Sequence, residues 1–207
     1  MRIAVINEVS SRDKNQFILD ALKDTVKAGV FNVGMSQAEG CELTYIQTGL
    51  MAATALNTGA ADFVVGGCGT GQGFLISVMQ YPNVYCGHIT NPLDAWLFSQ
   101  INGGNCVSLA LNKNFGWAGD INLRYIFEKL FCDPAGRGYP PHRAESQAQS
   151  RKLLADINKA AHKGFADVLK GLDKNILKPV AAQKPFMEFL QKYSEGDKYA
   201  EIKDILG

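Results

Sequence analysis

Five short apolar runs alternate with segments of helical periodicity along this chain. Continuous apolar runs are typical of strands that are covered on both faces, and their alternation with helices predicts parallel βαβ units with right-handed crossovers. We therefore predict a three-layer, Rossmann-like α/β domain with a five-stranded parallel sheet of order 2-1-3-4-5. The predicted strands are residues 3–6 (IAVI), 30–33 (VFNV), 63–67 (FVVGG), 83–89 (NVYCGHI) and 105–111 (NCVSLAL).

The predicted helices begin with one in which apolar residues from Phe17 to Val26 share a face, with Gly29 as a plausible stop. Past Cys132 the pattern changes to a loop rich in Gly, Pro and Arg, followed by a long amphipathic helix. We expect residues 1–143 to form the Rossmann-like domain and residues 144–207 to form a helical extension that caps it or packs on another subunit. Further helices are predicted at 45–62, 73–80, 92–101, 118–131, 144–171, 183–194 and 197–206.

Composition limits the class of protein. With 207 residues, 46% hydrophobic and 20% charged, the chain is long enough for one globular domain with an extension. A net charge of +1 gives no indication of a nucleic acid or an anionic membrane as partner, and no apolar run could span a bilayer. We expect a cytoplasmic protein, because there is no export signal and the five cysteines include no C-x-x-C pair.

The segment GGCGTGQG, residues 66–73, follows the third predicted strand. Its glycines fit neither G-x-G-x-x-G nor a P-loop, which leaves a G-x-G-x-G turn at the start of a helix. Bare N–H groups and the helix dipole favour a bound anion there, and the same field lowers the pKa of a nearby cysteine such as Cys68. A tight turn around a buried cysteine is the alternative interpretation. Ligands of open parallel sheets bind at this end of the strands, where the strand order reverses.

This segment resembles the C-G-T-G-x-G motif of the ribose-5-phosphate isomerase type B and galactose-6-phosphate isomerase family, and the likeness extends from RIAVI to the arginines near 137–143. The resemblance implies aldose–ketose interconversion of a phosphorylated sugar through an enediolate, with no metal or redox cofactor. Cys68 would be the general base and Thr70 would bind O1 or O2 of the substrate. The backbone from Gly69 through Gly71 to Gly73 would supply the anion hole.

Other positions match the family one by one. Asn102 and Asn105 in INGGNC correspond to two family asparagines, of which the first would bind a substrate oxygen. Tyr45 aligns with a tyrosine near the sugar. The resemblance implies phosphate binding by Arg137 and Arg143, although six residues separate them here instead of four, and His142 would add a third donor. It also implies a homodimer or higher oligomer, in which these arginines serve the neighbour's cysteine.

Two positions depart from the family. Its Asp-His after the first strand is replaced by Glu8-Val9, preceded by Asn7; Glu8 can replace the carboxylate, but Val9 cannot donate to a phosphate. The family's ring-opening histidine falls on Ile101, which cannot protonate a ring oxygen. Either His88, after the fourth strand, supplies the acid, or the substrate needs no ring opening. The second option suggests a short or open-chain sugar phosphate such as a tetrulose 4-phosphate.

Two other functions remain open from the sequence. The chain could be a sugar-phosphate sensor or the partner subunit of a hetero-oligomeric isomerase, although the pairing of Cys68 with Thr70 favours an active subunit. It could also be a flavodoxin-like nucleotide binder, although it lacks a hydroxyl-rich phosphate loop after the first strand.

Overall fold

A computed structural model describes residues 1–36, 42–113 and 115–206. Cys41, one of the five cysteines, lies outside the described residues. All strands of the sheet are parallel, as the alternation of strands and helices predicts. The strands are β1 (Arg2–Asn7), β2 (Gly29–Asn32), β3 (Phe63–Cys68), β4 (Cys86–Ile89) and β5 (Cys106–Ala110).

The fold class is confirmed, but the order of the last two strands differs from the prediction. The sheet runs β2-β1-β3-β5-β4, so β5 lies between β3 and β4. The reason is burial: every residue of β5 is buried, whereas three of the four residues of β4 are only half-buried. The strand that is covered on both faces takes the interior position and the shorter one takes the edge. The strand order still reverses between β1 and β3, so the expected ligand-binding position at the carboxyl ends of these strands is the same.

Helices cover both faces of the sheet. Three of them begin at side-chain caps: Thr44 donates its N–H to Gln47 Oε1 (3.0 Å), Asn91 Oδ1 accepts from Leu93 N (2.9 Å) and Asp94 N (3.0 Å), and Asp173 Oδ1 accepts from Asn175 N (2.7 Å). The helices are α1 (Asn15–Thr25), α2 (Tyr45–Asn57), α3 (Gln72–Val78), α4 (Pro92–Leu97, continued by a π-helical turn over Phe98–Asn102), α5 (Gly119–Phe131), α6 (Ala144–Ala161), α7 (Phe165–Lys170), α8 (Lys174–Ala181), α9 (Lys184–Tyr193) and α10 (Lys198–Leu206).

Helix boundaries differ from the sequence expectations in four places. The helix expected over 45–62 ends at Asn57. The first helix ends at Thr25, and Gly29, the expected stop, instead begins β2. The helix expected over 144–171 is interrupted: His162 is extended, its N–H closes the last turn on Asn158 O (3.1 Å), and α7 begins after Gly164. α8 was not expected from the sequence, and it contains Pro179.

The two faces of the sheet have separate cores. Helices α1, α4 and α5 pack on one face. On the other, α2 and α3 pack together with buried residues of α7 to α10, so this part of the extension shares the core of the sheet. In contrast, α6 has no buried residue, and the apolar side chains expected on its inner face are exposed: Leu153 63%, Leu154 51% and Ile157 61%. No helix in the described residues is both long and apolar enough to cross a membrane.

Candidate active site

Cys68 ends β3 at the reversal point of the sheet, where sequence reasoning expects a ligand. It is 5% exposed and pairs in register with Ala110 of β5. Its sulfur lies 4.0 Å from Thr70 Oγ1, and the side chain of Thr70 is exposed. The structure therefore brings together the two residues expected to carry the chemistry, with the thiol beneath the hydroxyl.

Backbone hydrogen bonds hold the glycine loop against the segment that follows β5. Cys68 O accepts from Leu111 N (3.0 Å), and Gly69 O accepts from Asn112 N (3.0 Å) and Lys113 N (2.9 Å). Within the loop, Gly71 N donates to Cys68 O (3.3 Å). These bonds fix the loop before any ligand arrives, as catalysis by preorganised donors requires.

The N–H groups of the loop differ in what they can offer a ligand. Those of Gly69, Gly71 and Gln72 already donate to Ser10 Oγ (3.2 Å), Cys68 O and Thr70 Oγ1 (3.3 Å). Those of Thr70 and Gly73 donate no hydrogen bond within residues 1–36, 42–113 and 115–206. The anion hole expected over the whole segment therefore reduces to Thr70 and Gly73 in this conformation.

Glu8, Ser10 and Asn112 form a cluster beside Gly69. The Glu8 carboxylate is 4% exposed and accepts a short hydrogen bond from Ser10 Oγ. Asn112 Nδ2 donates to Ser10 O (2.7 Å). Glu8 thus lies within one hydroxyl of the loop, while the neighbouring Asn7 is wholly buried. Asn7 Nδ2 donates to Asn15 Oδ1 (2.8 Å), and Asn7 Oδ1 has no partner among the described residues.

His88 and Tyr45 contact the loop from two sides. His88 Nε2 lies 3.1 Å from Thr70 O, and a Cβ added at Gly71, whose φ is +76°, would come within 2.6 Å of the same nitrogen. A Cβ at Gly73 would lie 2.8 Å from the Tyr45 ring. Both glycines therefore allow a side chain to approach the backbone closely, and Gly71 also needs its left-handed conformation.

A second cleft lies at the amino ends of β4 and β5, whereas Cys68 lies at the carboxyl end of β3. It encloses about 690 Å³ between β4, the π-helical turn and α6, and it is lined by Ile101, Asn102 and Arg143. Val64 pairs with Cys106, which begins β5, and Cys68 pairs with Ala110, which ends it. Along the strands these two levels are therefore about 13 Å apart, four residues at 3.3 Å each. The expected site residues therefore do not share one cavity: Cys68 and Thr70 lie at the carboxyl end of β3, whereas Asn102 and Arg143 line this cleft.

The remaining expected residues of this second group differ in their surroundings. Asn105 is fully used by the backbone: its Oδ1 accepts from Tyr85 N (2.9 Å) and its Nδ2 donates to Asn83 O (2.8 Å). Arg137 Nη1 pairs with Asp133 Oδ1 (2.8 Å) and lines a separate cavity. His142 is exposed in the turn that also carries Arg143.

Sequence reasoning missed Arg151, which also lines the cleft. Its Nη1 donates to Ile101 O (2.8 Å) and its Nη2 to Gly136 O (2.7 Å), so the guanidinium joins the π-helical turn to the arginine-bearing loop. The signal was a helical spacing of polar residues from Arg143: Gln147, Ser150 and Arg151 follow on one face of α6 and line the same cleft. Ser10 and Asn112 carried no comparable sequence signal.

Electrostatics in the cleft reflect burial. Desolvation, followed by the charge of Asp156, raises the pKa of Tyr85, and desolvation followed by the neighbouring Cys86 raises the pKa of the Cys106 thiol well above its ordinary value. No group of three or more His, Cys, Asp or Glu side chains in the described ranges is arranged to hold a metal ion.

The fold and the loop define an α/β protein of the doubly wound class, with a thiol and a hydroxyl at the carboxyl end of its third strand. Residues 3–118 match the family model described as Ribose/Galactose Isomerase. The chain belongs to this family of sugar-phosphate isomerases and is an aldose–ketose isomerase. Among curated proteins, no match was found.

Two solved structures are similar over their full length. A 4-deoxy-L-threo-5-hexosulose-uronate ketol-isomerase complexed with a tartrate is 41% identical, with a TM-score of 0.96, and the match covers 100% of this chain and 99% of that one. A ribose-5-phosphate isomerase from Vibrio parahaemolyticus is also 41% identical, with a TM-score of 0.95 and the same coverage. Type B ribose 5-phosphate isomerase from Leishmania infantum, 17% identical, shares the fold over 78% of this chain and 98% of its own, with a TM-score of 0.65.

Proposed function

We propose that this enzyme isomerises its substrate through an enediolate with Cys68 as the general base. The thiolate removes a proton from the carbon beside the carbonyl and returns it to the neighbouring carbon. The observation that carries the proposal is the position of Cys68. It lies at the carboxyl end of β3, and its sulfur is 4.0 Å from the Thr70 hydroxyl, which can exchange protons with substrate O1 and O2.

The developing charge on the enediolate needs donors that are already in place. The N–H groups of Thr70 and Gly73 belong to the glycine loop and have no acceptor in the described residues. Ser10 Oγ, which receives the Gly69 N–H, is itself held by Glu8. We therefore assign the oxyanion to Thr70 and Gly73, and the sugar hydroxyls to the carboxylate side of the loop near Glu8.

The anionic end of the substrate needs a second copy of the chain. Arg143 and Asn102 line the cleft at the amino ends of β4 and β5, and along the strands this level is about 13 Å from that of Cys68. Leu154 of α6 lines this cleft, and the exposed apolar side chains of Leu153 and Ile157 lie on the same helix and would be covered in a dimer. We propose that in a twofold dimer the cleft of each copy faces the glycine loop of the other.

We further propose an open-chain substrate. Ile101 lines the cleft where the family carries its ring-opening histidine, and its side chain can neither donate nor accept a proton. The two full-length neighbours are named for different substrates, so similarity alone does not choose between them. An enzyme that lacks the ring-opening acid is suited to a sugar that already presents its carbonyl.

Two substrates meet this requirement. A tetrulose 4-phosphate cannot close a furanose because its O4 is esterified. In 4-deoxy-L-threo-5-hexosulose uronate, C5 is a ketone and C4 carries no oxygen, so neither offers a hydroxyl to close a ring on the C1 aldehyde. Val9 removes a phosphate donor, and a carboxylate has fewer oxygens to satisfy than a phosphate. The uronate is therefore our first candidate and the tetrulose phosphate our second.

The deciding experiment compares kcat/KM for both candidates with that for ribose 5-phosphate, which must open its ring. We expect at least a tenfold preference for one open-chain compound. A matched variant, Ile101→His, should raise turnover of ribose 5-phosphate without a similar gain on the open-chain substrate. If the unmodified enzyme has the same kcat/KM on ribose 5-phosphate as on the better open-chain compound, the open-chain proposal is wrong. The proposed isomerase chemistry would not be affected by that result.

We also propose that the reaction takes place in the cytoplasm. The cysteines among the described residues, Cys68, Cys86, Cys106 and Cys132, are all free thiols. A thiol base needs surroundings that keep it reduced, which is the condition of that compartment.

A further inference from the structure

Two cysteines that the isomerase chemistry does not use lie side by side on neighbouring strands. Cys86 begins β4 and Cys106 begins β5, and the two residues are register partners in the parallel pair. Register partners project their side chains to the same face of a sheet, and both thiols belong to the core on the α2 side.

The two thiols differ in accessibility. Cys106 is wholly buried, whereas Cys86 is half-buried and lines the cleft that contains Arg143. The buried thiol also has the raised pKa described above, so it stays protonated at neutral pH. An oxidant that enters the cleft therefore meets Cys86 first, with Cys106 directly behind it.

We propose that Cys86 and Cys106 form a reversible modification site, at which a peroxide converts the two thiols into a disulfide between β4 and β5. In the first step the sulfur of Cys86 attacks the O–O bond of hydrogen peroxide, giving a sulfenic acid and one water. In the second step the sulfur of Cys106 displaces the hydroxyl group, forming the S–S bond and releasing a second water. Two thiols are oxidised and one peroxide is reduced, so the step is balanced.

The sheet geometry permits the bond without moving the strands. Adjacent strands lie about 4.7–4.9 Å apart, and disulfides form between residues whose Cα atoms are about 4.4–6.8 Å apart. The Cys86 thiol donates weakly to Gly87 O at 3.9 Å and interacts with the Cys106 thiol, so little local bonding is lost when its sulfur turns inward. Cys68, at the carboxyl end of the central strand β3, takes no part in this chemistry.

The direct test treats a Cys41→Ser, Cys68→Ala, Cys132→Ser variant with hydrogen peroxide and measures its intact mass. Only Cys86 and Cys106 remain, and we expect the loss of two hydrogen atoms, restored by dithiothreitol. Addition of two or three oxygen atoms while one thiol stays free to alkylation would overturn the proposal, and so would an unchanged mass under conditions that oxidise Cys132 in the wild type.

Wild-type enzyme provides the same test without relying on that variant to fold. No Lys or Arg lies between residues 28 and 112, so trypsin leaves both cysteines on one peptide. Chymotrypsin, which cleaves after residues such as Tyr85 and Phe98, separates them, and we expect a linked pair of peptides that dithiothreitol resolves. Cys106→Ala is the matched control and should accumulate sulfenic or sulfinic acid at Cys86. A wild type that behaves as this control does would refute the disulfide, whatever the isomerase assays show.

Discussion

The hydroxyl oxygen of Thr70 lies 4.0 Å from the sulfur of Cys68, across a turn whose backbone is fixed by the segment after β5. In the mechanism we propose, this pairing joins a base for carbon-bound protons to a group that relays hydroxyl protons. The two groups would divide the work of an enediolate mechanism, because one proton must leave carbon while another moves between O1 and O2.

We predict that Cys68→Ala lowers kcat by about 10²–10⁴-fold, the usual contribution of a general base. Thr70→Val, which keeps the size of the side chain and removes the hydroxyl, should lower kcat less. Steady-state kinetics on the preferred substrate and calorimetric binding of a product analogue measure these effects. Unchanged turnover by Cys68→Ala would eliminate the thiol as base, and unchanged binding with no turnover in either protein would favour a sensor.

The site that we propose to be shared between two copies of the chain predicts complementation between two inactive variants. Cys68→Ala and Arg143→Ala damage different halves of each site, so a mixed dimer contains one site with both residues intact. Unfolding and refolding the two variants together in equal amounts should restore about a quarter of wild-type activity, as random pairing in a twofold dimer requires. Each variant refolded alone is the control. Recovery no greater than the sum of the two would show that each chain builds its own site.

The backbone of the loop gives a prediction for Gly71→Ala. The residue has φ +76° and a new Cβ would lie 2.6 Å from His88 Nε2, so both strain and a clash oppose the substitution. Gly196 has φ +52° with nothing within 4 Å of an added Cβ, and Gly196→Ala isolates the strain. We expect a loss of about 1 kcal/mol in unfolding free energy for Gly196→Ala and a larger loss for Gly71→Ala.

Activity should separate these two glycine variants further. Gly71→Ala displaces the turn that carries Thr70 and lowers kcat, whereas Gly196→Ala, far along the chain before α10, leaves kcat unchanged. Urea unfolding and kinetics on the same samples provide both measurements. Equal losses of stability in the two variants would mean that His88 yields to the new methyl group.

The cap of α4 predicts a dependence of stability on pH. Desolvation raises the pKa of Asp94, but hydrogen bonds from Thr90 and Asn91 outweigh it, and the pKa is lowered overall. A lowered folded-state pKa contributes stability that is present above the unfolded-state value, about 3.9, and is lost as the pH falls through the folded-state value. Asp94→Asn should therefore lower the unfolding free energy at pH 7, by less than about 1 kcal/mol because the carboxyl is largely exposed, and much less at low pH.

Chemical unfolding at pH 7 and pH 3 measures this difference between wild type and Asp94→Asn. Asp167→Asn is the control, because Asp167 is an exposed carboxyl paired with Lys170 at 3.4 Å. Such surface pairs contribute about 0–1 kcal/mol, so this variant should change little at either pH. A constant difference for Asp94→Asn across the pH range would show that its charge is not what stabilises the cap.

Local sequence was sufficient for most of the fold and for one half of the site. Apolar runs placed β1, β2, β3 and β5 within two residues at either end, because strands buried on both faces leave an unbroken pattern. The glycines around Cys68 and Thr70 identified the loop, since few other structures need such a backbone. The edge strand β4 and the interrupted helix at Gly164 were less well predicted, because packing decides both.

By itself, the sequence determined the parallel α/β class and the thiol with its hydroxyl neighbour, since both depend on residue types at short spacing. Only the tertiary structure decided that β5 lies between β3 and β4 and that Arg151 joins Arg143 in one cleft. It also decided that this cleft lies at the amino ends of the strands, whereas Cys68 lies at a carboxyl end. The physical reason is that burial and strand pairing connect residues far apart in the chain, and no local pattern records which of them meet.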